Sequence, residues 1–166
     1  MDNKSMTEEF TRCAGIPVYL DLIRYKHDMV RAGFEQYSCE PSKGAYMHKN
    51  SWVGEGIYIN VDINDPEYMR ILLHEISHAT MRRVGRDLSV NNEEMVAESS
   101  CLLLIEYFGL DTPELKKKCR DYVTSYKVVA WLTEPCDVDK YAFEAFSYII
   151  THWLPESAKF QDREAV

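Results

Sequence analysis

Leu72-Leu73-His74-Glu75-Ile76-Ser77-His78-Ala79-Thr80 is the stretch on which the reading of this 166-residue chain turns. It contains an HExxH pattern, His74 to His78, set among apolar residues. Side chains four residues apart on an α-helix share a face, one above the other. Two imidazoles so placed bind one metal ion, and the intervening Glu75 reaches a water on that ion as general base. The chemistry requires a helix, and the flanks supply one. Upstream, Asp65-Pro66-Glu67 opens it: Asp caps, Pro fits the first turn, and Glu favours the positive end of the dipole. The helix is expected from Pro66 to about Val84, with Gly85 stopping it.

Downstream, Asn91 with Glu94 reads as a capping box, and Val90 with Met95 as a hydrophobic staple across it. The resulting helix runs to Phe108. Met95, Glu98, Leu102 and Ile105 fall on one stripe of it. Glu98 is thus a carboxylate in an apolar line, and must be paired, protonated or on a metal. A turn between two helices brings it back to the HExxH face. Zinc sites of this class take two His, one Glu and a water. The expected ligands are therefore His74, His78 and Glu98, with Glu75 as base and Zn²⁺ as cofactor. Glu94 is the runner-up for the third ligand, although capping and the helix dipole account for Glu93 and Glu94. For Glu98 the alternative is a salt bridge to a lysine or arginine. Other zincin patterns fail, because Arg82, Met81 and Val84 stand where their further residues belong.

Working outward, Pro17 to Ala32 reads as an amphipathic helix ended by Gly33, with Leu20, Leu22, Ile23, Met29 and Val30 for a core. Glu35 to Asp62 reads as two or three short strands, of which Gly56–Val61 is the clearest. Thr112-Pro113-Glu114 opens a fourth helix to about Leu132, and Asp137 or Asp139 a fifth to Leu154-Pro155. The fold class is α+β: a small antiparallel sheet packed on a helical majority, in a single domain over residues 1–166.

Composition narrows the function. An apolar fraction of 46% and a charged fraction of 28% are those of a globular chain. A net charge of -8 argues against binding to nucleic acid. The one basic run, Lys116-Lys117-Lys118 with Arg120, reads as a solvated helix face. No apolar run approaches a membrane span, and the MDNKSMTEEF start lacks the regions of a signal peptide, so a cytoplasmic location is expected. The five cysteines, Cys13, Cys39, Cys101, Cys119 and Cys136, are odd in number and lack CxxC spacing; they read as scattered thiols.

The same motifs carry a family resemblance. Leu72–Thr80, followed by Glu93-Glu94-Met95-Val96-Ala97-Glu98, resembles the metallopeptidase domain of ArdC-type antirestriction proteins and related polyvalent proteins of plasmids and phages. That family shows HELgHxT and then EELVAE, with the last Glu on the metal. Ser125-Tyr126, Trp131-Leu132 and Asp139-Lys140-Tyr141-Ala142 are similar to its later helices, with spacings about a residue different. The resemblance spans roughly residues 50–154. Ser99-Ser100-Cys101 departs from the family's small apolar residues, and the first fifty residues are too short to be assumed equivalent to its single-stranded-DNA-binding domain. The resemblance implies a zincin-like, gluzincin-type metallopeptidase with Zn²⁺ on His74, His78 and Glu98. It also implies a protein or peptide substrate and a role in counter-defence. In such a fold Gly56–Val61 is the expected edge strand for an extended substrate. Tyr148, His152, Tyr126 and His48 are the candidates for oxyanion donor. A function of another class stays open, a non-catalytic zincin-fold module that blocks a host defence protein; the intact Glu75 favours catalysis.

Overall fold

The computed structural model describes residues 2–20, 43–51, 53–130 and 136–155, with the side chains of 128–130 left aside. Its centre is the helix that the HExxH motif demands. This helix, Tyr68–Arg83, buries twelve of its sixteen residues, including His74 and Glu75. A helix apolar nearly all round is one covered on several sides. It begins two residues later than expected. Asp65 caps the turn before it, accepting from the Glu67 N–H at 2.7 Å, rather than the helix itself. It ends as expected at Gly85, whose φ of 72° suits glycine.

In chain order the elements are α1 (Asn3–Ala14), β1 (Val18–Tyr19), β2 (Gly44–Met47), β3 (Gly56–Ile59), α2 (Tyr68–Arg83), α3 (Val90–Tyr107), α4 (Pro113–Ala130) and α5 (Val138–Tyr148). A π-helical turn, Ile149–Trp153, extends α5. The class is α+β with a helical majority. The expected sheet is corrected in one respect: it is mixed, not antiparallel. β3 pairs antiparallel with β2, Gly44 opposite Ile59, and parallel with β1, Val18 opposite Ile57. The order β1-β3-β2 makes β3 the centre, and all four of its residues are buried. Gly56–Ile59 is therefore not an edge. Among the described residues β2 is the edge strand next to α2.

α1 lies where no helix was expected. Asp2 caps it through the Ser5 N–H, and Gly15 closes it at φ 68°. Met6 and Phe10, one turn apart, enter the core, where Phe10 meets Trp153 edge-on at 5.5 Å between ring centres. The expected helix from Pro17 is contradicted at its start, since Val18 and Tyr19 form β1; its remainder, 21–32, lies outside the described residues. The proposed capping box and staple on α3 also fail. Ser89 is the N-cap, Asn91 sits inside the helix, and Val90 is 74% exposed. Glu94 is drawn away from capping by the imidazoles of α2. Thr112 and Asp137 open α4 and α5 as expected, accepting from the N–H groups of Leu115 and Lys140. No helix among the described residues is long and apolar enough to cross a membrane.

α2 and α3 run antiparallel and cross closely. Ser77 sits at the crossing, its Oγ on the Leu73 carbonyl at 2.8 Å and on the Ser100 hydroxyl at 3.1 Å. Two small residues let the backbones approach while each hydroxyl stays satisfied. This crossing sets the phase in which the acids of α3 meet the basic face of α2.

Candidate metal centre

Arg70, His74, His78 and Arg82 recur every four residues and so form one stripe along α2. Glu93, Glu94 and Glu98 face it from antiparallel α3. The contacts form a ladder: Arg70 to Glu98, His74 to Glu98 and Glu94, His78 to Glu94 and Glu93, and Arg82 to Glu93.

Inside this ladder three donors converge. The Nε2 atoms of His74 and His78 lie 3.1 Å apart. Glu94 Oε2 is 3.4 Å from the first, and Glu94 Oε1 is 3.5 Å from the second. A tetrahedral ion with bonds of about 2.0–2.1 Å sets its donors about 3.3 Å apart. The spacing fits one such ion held by His74, His78 and Glu94.

Glu98, expected as the third ligand, stands elsewhere. Its Oε1 accepts from Arg70 Nε at 3.0 Å and Nη2 at 2.7 Å, a two-pronged pair. Its Oε2 lies 2.7 Å from His74 Nδ1, on the side of the ring away from the donor triangle. That contact is short but poorly aligned, and neither atom has another partner. Glu93 does the same for His78, with Oε1 at 3.1 Å from Nδ1. Metal-bound histidines characteristically give their second nitrogen to a carboxylate, which fixes ring orientation and tautomer. Glu94 and Glu98 are one turn apart on α3, so they reach the two nitrogens of the same His74 ring. The buried Glu98 carboxylate is paired with Arg70, the salt-bridge alternative that the sequence offered.

Charge points the same way. Glu75, Glu93, Glu94 and Glu98 bring four carboxylates, against the guanidinium groups of Arg70 and Arg82. With neutral imidazoles two negative charges remain, which one divalent cation balances. In the metal-free chain the field acts on protons instead. Burial lowers the basicity of His74, but Glu94 and Glu98 outweigh it and raise its pKa to about 10. His78 is raised to about 9 against the same burial by Glu93 and Glu94.

Glu75 points toward the sheet side. Burial raises its pKa, with the two imidazoles and the Tyr46 backbone N–H acting in opposition. Gly44 of β2 is required here by close approach. A Cβ on it would lie 2.6 Å from Ile71 Cγ2 and 2.8 Å from Glu75 Oε1. A recess of about 230 Å³ opens above, lined by Lys43, Gly44, Arg70, Ile71, His74, Glu75 and Tyr122.

Tyr122 of α4 is the functional residue that sequence reasoning missed. Its hydroxyl donates to Glu94 Oε2 at 2.7 Å, and its ring meets His74 edge-on. Burial first, then Tyr126 and Glu94, raise its pKa, so it stays a phenol and a donor. Of the expected oxyanion donors, Tyr126 stands one step back, 3.5 Å from the Tyr122 hydroxyl. Tyr148 and His152 stack on each other, with Tyr148 against Trp153, and take no part in the cluster. His48 lines a different recess.

Behind Glu98 lie Cys101 and Cys119, both buried and both free. Glu98, Cys101 and Cys119 are close enough to share an ion. Arg70 already supplies the positive charge there, and burial holds the Cys101 thiol well above its ordinary pKa. These are buried core thiols, in keeping with the lack of CxxC spacing.

No family model matches the sequence, and no curated protein or solved structure is significantly similar to it.

Proposed function

We propose that this chain is a zinc-dependent peptidase of zincin type, with His74, His78 and Glu94 holding the ion and Glu75 as general base. The observation that carries this reading is the donor triangle at tetrahedral spacing, each imidazole backed by its own carboxylate. Oxygen and nitrogen donors in this number suit zinc, and the remaining position is left for substrate or water. Bound there, the ion acts as Lewis acid toward a carbonyl oxygen and a water.

The rest of the work falls to the chain. Glu75 takes a proton from the attacking water and delivers it to the departing amine. A carboxylate with its pKa raised by burial is closer to the working pH and better suited to both transfers. The Tyr46 N–H and Gly44 hold that carboxylate against β2. Tyr122 borders the recess and spends its one O–H on Glu94 Oε2, which orients that carboxylate toward the imidazoles. β2 is the edge strand beside the recess, the position first expected of Gly56–Val61. The sequence resemblance to ArdC-type proteins adds counter-defence as the biological setting.

The test is Glu75→Gln. It should keep zinc, since Glu75 is no ligand, and lower peptide hydrolysis by about 10²–10⁴-fold, the usual contribution of a general base. Loss of zinc in this variant would overturn the ligand assignment, and undiminished hydrolysis would overturn the mechanism.

A further inference from the structure

A recess of about 410 Å³ lies away from the imidazoles. It lies beyond the far end of β2 and is lined by Tyr46, His48, Lys49, Asn50, Glu55, Arg82 and Arg83. It shares a wall with the metal centre. Tyr46 gives its backbone N–H to Glu75, and Arg82 holds Glu93 at 3.0 Å, the carboxylate that backs His78.

Its charge is opposite to that of the chain. Lys49, Arg82 and Arg83 face it against the single carboxylate Glu55, on a protein of net charge -8. Arg82 is committed to Glu93, but the other two cations are weakly held. Arg83 meets Glu55 only at 3.6 Å, with both side chains partly exposed. Glu55 is held from the other side by the Tyr46 hydroxyl at 2.8 Å. Lys49 has no ion pair among the described residues. His48 accepts the Asn50 N–H on Nδ1, which leaves Nε2–H as a further donor. A concave site with several under-used cationic donors suits a carboxylate.

The distance is that of a neighbouring subsite. Arg82 and Arg83 are four and five residues beyond His78, about 6–8 Å along the helix axis. That is roughly two residues of extended chain. We infer that this recess is a specificity pocket for an acidic side chain, Asp or Glu, two to three residues from the scissile bond on one side of it. The inference rests on the peptidase reading for the bond that is cut, but the pocket's preference is measurable by binding alone.

The experiment uses zinc-loaded protein and a positional-scanning library of short peptides carrying Asp, Glu, Gln or Lys at each position. Binding is read with Glu75→Gln and cleavage with the wild type. Glu75→Gln should bind peptides with an acid at one position at least about tenfold more tightly than their Gln counterparts, an ordinary size for a charge-assisted contact. Adding Lys49→Glu and Arg83→Glu should abolish or invert that preference toward Lys, while zinc content and thermal unfolding show that the protein stays folded and loaded. Equal binding of acidic and neutral peptides, or a preference that survives both charge reversals, overturns the pocket. If Glu75→Gln shows the acidic preference but the wild type cuts no peptide, the pocket stands and the peptidase reading falls.

Discussion

Exchanging the two carboxylates that compete for the ion separates ligand from support. In Glu94→Ala the donor 3.4 Å and 3.5 Å from the two Nε2 atoms is gone. Only two imidazoles remain, which cannot make a closed protein site for zinc. In Glu98→Gln the donor triangle is intact, while the partner of His74 Nδ1 changes. Losing such an outer partner typically weakens metal binding by 10–100-fold, about 1.4–2.7 kcal/mol. Glu94→Ala should therefore lose more than about 100-fold, and Glu98→Gln less. Because Glu98→Gln also weakens the pair with half-buried Arg70, Glu93→Gln serves as the second outer variant, and unfolding of metal-free protein is followed beside it. The assay is competition for Zn²⁺ against a chromophoric chelator at fixed pH. If Glu98→Gln or Glu93→Gln costs more affinity than Glu94→Ala in folded protein, the ligand set drawn from the geometry is wrong.

Two further outcomes follow from the ion pairs. Arg70→Met leaves the Glu98 carboxylate, 0% exposed, without its guanidinium; it should cost about 3–5 kcal/mol in denaturant unfolding, and Arg70→Met with Glu98→Leu should recover most of it. Glu67 is gripped by Lys118 and Lys43, and their hydrogen bonds lower its pKa from 4.5 to about 2. A carboxyl depressed in the folded chain contributes stability above pH 4.5 that fades as pH falls toward 2. With both lysines largely exposed, Glu67→Gln should cost under about 1 kcal/mol near neutrality and nothing at pH 2, measured by unfolding at each pH.

Much of the site was legible because its logic is local. The i,i+4 spacing of His74 and His78 needs no tertiary information beyond a helix, and Asp65, Pro66 and Gly85 bracket that helix in the sequence. The third donor of the proposed site was harder, because it depends on the phase at which α3 crosses α2. Periodicity placed Glu98 on the inner stripe correctly, yet Glu94 lies on the same stripe one turn earlier. What separates them is Arg70, and the signal was present as the four-residue recurrence Arg70, His74, His78, Arg82. Tyr122 could not be read, since nothing local says that α4 folds back over His74. α1 was missed although Asp2, Met6, Phe10 and Gly15 are its cap, core face and stop; two core residues in an otherwise polar segment give a faint pattern. The exchange of edge for centre in the sheet has a similar cause. Gly56–Ile59 was the clearest strand because both its faces are buried, which is the mark of a central strand.

The most direct measurement is the metal content of protein purified without chelators and equilibrated with Zn²⁺ at neutral pH. Elemental analysis should return about one zinc per chain, with none retained by His74→Ala, His78→Ala or Glu94→Ala. A folded wild-type chain that takes up no zinc would contradict the centre, and with it the peptidase built on it.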